Sequence, residues 1–272
     1  MEGLDSAPAT KPRSGDNSYR AYIGGPGRYD VLAAANFNVL IQAGLREKHR
    51  VLDVGCGSLR LGRLLIPFLL PGGYYGIEPN QWLVDEGFDR ELGRDIIELK
   101  QPRFLYKDDF SVGEFETTFD YAIAYSVFSH SYPDLAGLGL RRVGETLADE
   151  GVLLGTYFEG GPEVVHAKPD NPLLARNGSG WLYPKCVRYS WEEFEALLHE
   201  NGLVGYRFTR PDRGKQTWFA ACRPGAERYA IRASRLAADP PWVEPTPTRS
   251  ERLKAQLAPS ALKSAARRRL KR

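Results

Sequence analysis

Short apolar runs alternate with longer stretches of helical periodicity along most of this chain. The apolar runs lie at residues 51–54, 74–77, 103–106, 119–124, 151–157, 203–209 and 217–222, and each has the length of one strand. Between them, apolar residues return every three or four positions at 29–45, 58–70, 80–99, 135–148 and 190–201, which predicts helices. Gly44 is expected to end the first helix, Asn80 to cap the third, and Ser190 to open the last through a capping box with Glu193.

The last two predicted strands are expected to pair antiparallel. Only the turn at residues 211–214 lies between them, which is too short for a helical crossover. The earlier strands alternate with helices, and such crossovers return the chain parallel to the strand before. The sequence therefore predicts an α/β fold with a doubly wound, seven-stranded, mostly parallel sheet and an antiparallel C-terminal hairpin.

The first strand runs directly into a glycine turn. Gly55 and Gly57 follow it, and the second strand ends in an acid, Glu78, about twenty residues later. Glycines let the backbone approach a ligand closely, and a carboxylate can accept hydrogen bonds from both hydroxyls of a ribose. This pattern is typical of a nucleoside site. Arg60 stands where a dinucleotide-binding turn has its third glycine, which disfavours NAD.

Two motifs in this region resemble those of class I S-adenosylmethionine-dependent methyltransferases. Asp53, Gly55 and Gly57 form D-x-G-x-G, which is similar to the family's first motif, and the run Gly76 to Pro79 is similar to its second. Leu59 departs from the pattern because many members have a third glycine there. The resemblance covers residues 29–223, and it implies the fold described above and S-adenosylmethionine as the cofactor.

The resemblance also implies which residues contact the cofactor. They are Asp53, Gly55, Cys56, Gly57, Arg60, Glu78, Pro79, Asp108, Asp109, Phe110, Tyr125 and Ser126. The family places an acid after the third strand on the adenine amino group, and Asp109 is preferred there over Asp108. Either Arg60 or Arg28 is expected to pair with the cofactor carboxylate, and a surface ion pair is the alternative for Arg60. The glycine-rich segment 22–29 is expected to form either a lid over the cofactor or an ordinary loop.

His130 is the candidate catalytic base. It follows the fourth strand, where class I methyltransferases commonly place catalytic groups, and an imidazole titrates near neutral pH. A structural hydrogen bond is the alternative role. No cluster of carboxylates follows this strand, so no metal is predicted. Residues 124–127 also lack the Asn/Asp-Pro-Pro-Tyr/Phe motif of enzymes that methylate the amino groups of DNA bases.

A long insertion at residues 158–189 is expected to cover the acceptor. The candidate substrate contacts are Tyr22, Glu159, His166, Trp181 and Tyr183. Their aromatic faces and polar ends suit a sugar ring or another flat polar ligand. The alternative is that the aromatic residues anchor the loop to the core.

Length and composition fit one catalytic domain with extra segments at both ends. The chain has 272 residues, 42% of them hydrophobic, and its three cysteines have no spacing typical of disulfides or zinc. We expect a disordered leader at 1–18, a methyltransferase domain at 19–223, and a proline-containing connector with a basic tail at 224–272. Residues 1–18 lack the apolar core of a secretory signal, so a cytoplasmic location is expected.

The net charge of +3 is unevenly distributed. Residues 251–272 have eight basic side chains and one acidic side chain, so the preceding part of the chain is net acidic. An acidic body grips a polyanion poorly, and nucleic acid is therefore not an expected partner. The basic tail is expected to be a solvated helix end, with contact to an anionic membrane surface, a partner protein or RNA as alternatives.

Two sequence segments, Tyr-Gly-Ile-Glu-Pro-Asn at 75–80 and Ser-Val-Phe-Ser-His at 126–130, resemble those of bacterial small-molecule and glycan O-methyltransferases. The resemblance implies in-line transfer of a methyl group to an oxygen of a sugar, a glycan or a small metabolite. The alternatives are an RNA or protein methyltransferase docked by the basic tail, and a noncatalytic nucleoside-binding module.

Overall fold

A mostly parallel sheet lies at the centre of the computed structural model, which describes residues 18–160, 187–208 and 216–238. Its strands are β1 (Val51–Val54), β2 (Tyr74–Ile77), β3 (Arg103–Leu105), β4 (Phe119–Ala124), β5 (Leu147–Glu159), β6 (Arg188–Tyr189), β7 (Val204–Phe208) and β8 (Thr217–Cys222). They are ordered β3-β2-β1-β4-β5-β8-β7, and β6 pairs with β5 beside this path. The order reverses between β1 and β4, which is where a doubly wound sheet opens a crevice at its carboxyl edge.

The helices lie on both faces of this sheet. They are α1 (Tyr19–Tyr22), α2 (Tyr29–Ala43), α3 (Gly62–Phe68), α4 (Gln81–Gly87), α5 (Asp95–Lys100), α6 (Pro133–Glu145), α7 (Trp191–Glu200) and α8 (Glu227–Ala238). Gly44 ends α2 in the left-handed conformation, and Ser190 with Glu193 forms the predicted capping box of α7. No described helix has both the length and the apolar character needed to cross a membrane.

The pairing of the strands confirms the predicted fold class. The neighbouring pairs β3–β2, β2–β1, β1–β4 and β4–β5 are parallel. β8 is antiparallel to both β5 and β7, with Ala220 opposite Leu154 on one side and Tyr206 on the other. The last two strands therefore form the predicted reversed hairpin. The turn predicted at 211–214 lies outside the described residues.

Three predicted helix boundaries were wrong. The helix predicted at 58–70 begins only at Gly62, after a turn. The helix predicted at 80–99 is divided into α4, a π-helical turn at Phe88–Leu92 and α5, because Gly93 adopts a positive φ of 84°. Asn80 does not cap α4 through its side chain, because the amide donates to Glu78 instead.

The third wrong boundary lies between α6 and β5. The helix predicted at 135–148 ends at Glu145, and Leu147 already pairs with Phe119 of β4. The register then shifts, so that Val152 lies opposite Tyr121. At this bulge, a Cβ added to Gly151 would lie 2.6 Å from the carbonyl oxygen of Phe119. The backbones of β4 and β5 approach too closely at Gly151 for any side chain larger than that of glycine.

Two apolar layers enclose the sheet. One layer joins Val51, Ile123 and Leu154 of the sheet to α2, α3 and α8, and the other joins the alternate strand positions to α6 and α7. Helix α8 was not predicted from the sequence. Its buried face consists of alanines, with Ala230, Ala233 and Ala237 each at most 1% exposed.

Candidate functional site

A cavity opens at the carboxyl edge of the sheet, where the strand order reverses between β1 and β4. Its walls are the segments after β1, β2, β3 and β4, together with α1 and α2. Every residue predicted to contact the cofactor lines this cavity except Asp109, and the candidate base His130 and Tyr22 line it as well. The parallel fold therefore collects side chains that are far apart in the sequence.

The glycine turn after β1 forms the floor of the cavity. Gly55 and Gly57 have positive φ values of 67° and 55°. Cβ atoms added to them would lie 2.9 Å from side-chain carbons of Val127 and Ile23, respectively. Cys56 lines the floor between them, and burial raises the pKa of its thiol. Glycine is required at both positions, because a side chain would be strained and would displace the walls.

Leu59 occupies the position where many class I methyltransferases have a third glycine. Its φ is +57°, so the backbone has the left-handed conformation that glycine adopts without strain. The side chain is fully buried and lies beside Gly87 of α4. The turn therefore keeps the shape of a glycine turn, and burial of the leucine offsets the backbone strain.

Glu78 lies at the tip of β2 and is 7% exposed. The backbone N–H of Gly57 donates to its Oε2 at 3.1 Å, and the backbone and side-chain amides of Asn80 donate to Oε1 at 3.0 and 2.9 Å. These donors fix the carboxylate against the glycine turn. Oε1 already accepts two hydrogen bonds and Oε2 accepts one, so of the about four lone-pair sites of a carboxylate one remains open, on Oε2. Burial raises the pKa of Glu78, and the three donors oppose that shift.

Asp53 is a second buried acid below the turn. The hydroxyl of Tyr74 donates to its Oδ2 at 2.9 Å. Burial raises the pKa of Asp53 to about 7, while the Tyr74 hydrogen bond and the Arg60 charge oppose that rise. Asp53 lines the cavity and is tied to the neighbouring strand β2 through Tyr74.

The two adjacent acids after β3 have different surroundings. Asp108 lines the cavity, whereas Asp109 accepts from the backbone and hydroxyl of Ser111 and forms an ion pair of 3.1 Å with Arg142 of α6. The Ser111 hydrogen bonds and Arg142 lower the pKa of Asp109. Between this anchor and the cavity, Phe110 has a φ of +60° and forms part of the wall.

The segment after β4 forms the opposite wall. Ser126 has a φ of +65°, and its backbone N–H donates to Thr156 Oγ1 at 2.9 Å. His130 ends a short 3₁₀ turn and is half-buried at the cavity. Tyr189 donates to the carbonyl of the next residue, Ser131, at 2.5 Å. The candidate base is therefore positioned by backbone that is held from β5 and β6.

Arg60 follows the glycine turn after β1 and was predicted from the sequence as a partner for the cofactor carboxylate. Its Nη1 donates to the carbonyl of Ile23 at 3.2 Å, and its guanidinium lies 5.3 Å from the ring centre of Tyr125. Arg28, the alternative partner for the cofactor carboxylate, is exposed and does not line the cavity. The contact with Ile23 also joins the glycine turn to the segment 22–29.

The lining also includes residues that were not predicted from the sequence, and two of the polar ones are Asn36 and Lys107. Asn36 of α2 is 1% exposed and lines the cavity, and its Oδ1 has no hydrogen-bond partner among the described residues. Lys107 lines the cavity beside Asp108. Asn36 had a detectable signal in the sequence, because it interrupts the apolar face of α2 that includes Leu32 and Val39.

The other predicted substrate contacts are not among the described residues that line the cavity. Glu159 is exposed at the end of β5, forms an ion pair with Arg207 and does not line the cavity. His166, Trp181 and Tyr183 lie outside the described residues, as does the basic tail at 251–272.

Comparisons with known proteins agree with this architecture. Residues 52–153 match the model of a family described as a methyltransferase domain. Magnesium protoporphyrin IX methyltransferase from Synechocystis, crystallised with S-adenosylmethionine, is 16% identical and aligns over 73% of this chain and 81% of its own, with a TM-score of 0.52.

Two further solved structures share the fold. The glycopeptide N-methyltransferase MtfA, complexed with S-adenosylhomocysteine, is 12% identical over 72% of this chain and 90% of its own, with a TM-score of 0.53. The sugar N-methyltransferase KedS8 from a Streptoalloteichus species is 16% identical over 71% and 88%, with a TM-score of 0.51. At these identities the likeness concerns the fold.

Proposed function

We propose that this chain, which has the class I fold and matches a methyltransferase domain over residues 52–153, transfers the methyl group of S-adenosylmethionine to a hydroxyl oxygen of a small acceptor. The acceptor class that we propose is a sugar, a glycan or another small metabolite. The observation that carries the proposal is the position of Glu78, a buried acid held by three donors beside a glycine turn.

The residues present fit the adenosine part of this cofactor. Glu78 keeps an open acceptor site on Oε2 for a ribose hydroxyl, and Asp108 offers an acceptor for the adenine amino group. Asp108 replaces Asp109 in this role because Asp109 is engaged with Ser111 and Arg142 outside the cavity. Phe110 supplies an apolar wall next to this acid.

The residues near the glycine turn fit the amino acid part. Gly55 and Gly57 leave the backbone uncovered, so a ligand can approach it closely. Arg60 supplies a guanidinium for the carboxylate, since its fork matches two carboxylate oxygens. Its contact with Tyr125 orients the guanidinium along the cavity wall.

The chemical step requires alignment and the removal of one proton. S-adenosylmethionine supplies a methyl group activated by a positively charged sulfur. His130, on the opposite wall, would accept the proton of the acceptor hydroxyl as it becomes the nucleophile. The segment 22–29, joined to the glycine turn by Arg60, would help to exclude water from the cavity.

The small-acceptor class has indirect support. The structures of similar fold include enzymes named for a porphyrin, a glycopeptide and a sugar. The body of this chain is net acidic outside the basic tail, which does not favour a polyanionic acceptor.

Calorimetric titration with S-adenosylhomocysteine tests the cofactor site. We expect the parent protein to bind it and not NAD, and Glu78→Ala to weaken binding at least about tenfold, because the ribose loses a charged acceptor. Glu145→Ala is the matched control, since Glu145 is exposed at the end of α6. Equal affinity of Glu78→Ala and the parent protein would overturn the proposed site.

A further inference from the structure

A buried amide on α2 points to a contact that the proposed function leaves unassigned. Asn36 is 1% exposed, lines the cavity, and has an Oδ1 atom without a hydrogen-bond partner in the described part of the chain. Its neighbours on the same helix face are apolar, among them Leu32, Val39 and Leu40. A buried carbonyl oxygen without a donor is unfavourable, and an apolar side chain of similar size would be more favourable there. The amide therefore needs a role other than packing.

The course of α2 shows which part of the cavity Asn36 faces. At the start of the helix, the hydroxyl of Tyr29 donates to the carbonyl of Ser58 after the glycine turn. Near its end, the hydroxyl of Tyr121 from β4 donates to the carbonyl of Ala43. Helix α2 thus runs from the glycine turn along the β1 and β4 side of the sheet.

The adenine wall lies on the other side of the cavity. Asp108 and Phe110 follow β3, which is separated from β1 by β2, and adjacent strands are about 4.8 Å apart. A nucleoside whose ribose is held by Glu78 at β2 and whose base lies at β3 directs its other end toward β1 and β4. Asn36 and Arg60 both line the cavity, and the contact of the Arg60 guanidinium with Tyr125, which follows β4, places Arg60 at that end.

We infer that Asn36 Oδ1 accepts a hydrogen bond from the α-ammonium group of the cofactor's amino acid part. An ammonium group has only donors and an amide oxygen is an acceptor, while the carboxylate of the same group suits the guanidinium of Arg60. The two side chains would thus divide the amino acid between them. This inference rests on the proposed function, because it takes S-adenosylmethionine as the ligand.

The test combines stability without ligand and the affinity for two ligands. The variant is Asn36→Leu, and the control is Asn38→Leu, which changes a half-buried asparagine of the same helix that does not line the cavity. The ligands are S-adenosylhomocysteine and methylthioadenosine, which has the same nucleoside and a thioether but lacks the amino acid part. Calorimetry gives the affinities, and thermal unfolding of the ligand-free protein gives the stability.

We expect Asn36→Leu to unfold at the same or a higher temperature without ligand, because it removes an unpaired buried oxygen. Its affinity for S-adenosylhomocysteine should fall about tenfold or more, and its affinity for methylthioadenosine should stay unchanged. Asn38→Leu should leave both affinities unchanged. Loss of ligand-free stability with both affinities unchanged would show a structural amide and overturn the inference.

Other outcomes also contradict it. An equal loss of affinity for both ligands would place the effect at the nucleoside, and a raised KM for the acceptor alone would place the amide at the acceptor. Asn36→Asp distinguishes the two ends of the amino acid: it should bind S-adenosylhomocysteine more tightly than Asn36→Leu beside an ammonium, and more weakly beside a carboxylate. If the parent protein bound methylthioadenosine but not S-adenosylhomocysteine, the inference would fail. Failure to bind either ligand would overturn the proposed function itself.

Discussion

His130 carries the proton transfer in the proposed reaction, so its removal separates chemistry from cofactor binding. We expect His130→Ala to lower turnover about 100-fold or more with a hydroxyl acceptor, because the nucleophile keeps its proton. Its affinity for S-adenosylhomocysteine should be unchanged. Release of S-adenosylhomocysteine over a panel of sugars and small alcohols measures the turnover. His199→Ala, at the exposed end of α7, is the control and should behave as the parent protein. Unchanged turnover of His130→Ala would remove the base assignment.

Asp53 makes stability depend on pH in a predictable direction. Burial raises the pKa of its carboxyl from 3.8 to about 7, so between these values the folded protein holds a proton that the unfolded chain has released. The contribution of Asp53 to the free energy of unfolding is therefore most favourable at low pH. It decreases as the pH rises toward about 7, by up to about 1.4 kcal/mol per pH unit.

Asp53→Asn removes this dependence and retains an acceptor for the hydroxyl of Tyr74. Relative to the parent protein, its free energy of unfolding should increase from about pH 4 to about pH 7 and level off above that range. Urea unfolding at each pH measures the difference. A difference that is the same at every pH would show that Asp53 keeps its ordinary pKa in the folded protein.

The sequence could predict which acids follow the strands but not which of two neighbours faces the cavity. Asp108 and Asp109 are equivalent in pattern, and the choice depends on Ser111 and on Arg142 of a distant helix. Asn36 was missed for a related reason. A lone amide on an apolar helix face gains meaning only when a cavity is seen beside it. Glu78, in contrast, was evident from its spacing alone.

At the scale of elements, a buried acid joins α1 to the π-helical turn. The carboxylate of Glu91 accepts from the hydroxyl of Tyr19 at 2.7 Å, from Arg20 Nε at 2.8 Å and from Arg63 Nη1 at 3.3 Å. The Glu91 side chain is 5% exposed, so these bonds are shielded from water. They hold the segment that contributes Tyr22 to the cavity wall.

Replacement of this acid should loosen that segment. We expect Glu91→Ala to lower the free energy of unfolding by about 2 kcal/mol, because it removes several hydrogen bonds to a charged, buried acceptor. Urea unfolding measures the change. Glu86→Ala is the control, since its ion pair with Arg90 lies on the surface and should contribute less than about 1 kcal/mol. Equal effects of the two variants would show that the Glu91 network adds no stability beyond a surface pair.

Element boundaries were the weakest part of the sequence prediction, and the reasons are local. Apolar periodicity continues from α4 into α5, but the left-handed Gly93 and the π-helical turn interrupt the helix. Leu147 and Ala148 extend the pattern of α6, yet pairing with β4 places them in β5. In both places a backbone conformation or a strand partner overrides the side-chain pattern.

At the scale of the whole molecule, α8 completes one of the two apolar layers. Ala226, Ala230, Ala233 and Ala237 recur at helical spacing and are buried in the layer that contains α2 and α3. The sequence did not predict this helix because alanine contributes little to a hydrophobic pattern and arginines surround it. The core of the molecule therefore extends beyond residue 223, where its strands end.

The basic tail at 251–272 decides between a small and a macromolecular acceptor. The described cavity is lined by residues that precede the tail, and the tail contains eight of the chain's basic side chains. For a small acceptor, we expect a chain shortened by these residues to keep the parent kcat/KM and the parent affinity for S-adenosylhomocysteine. A docked RNA or protein would lose electrostatic attraction, so kcat/KM should fall steeply and the salt dependence of activity should weaken. Assays of both chains at low and high ionic strength measure this difference. Activity on sugars or small alcohols that requires the tail would contradict the small-acceptor proposal and leave the cofactor site intact.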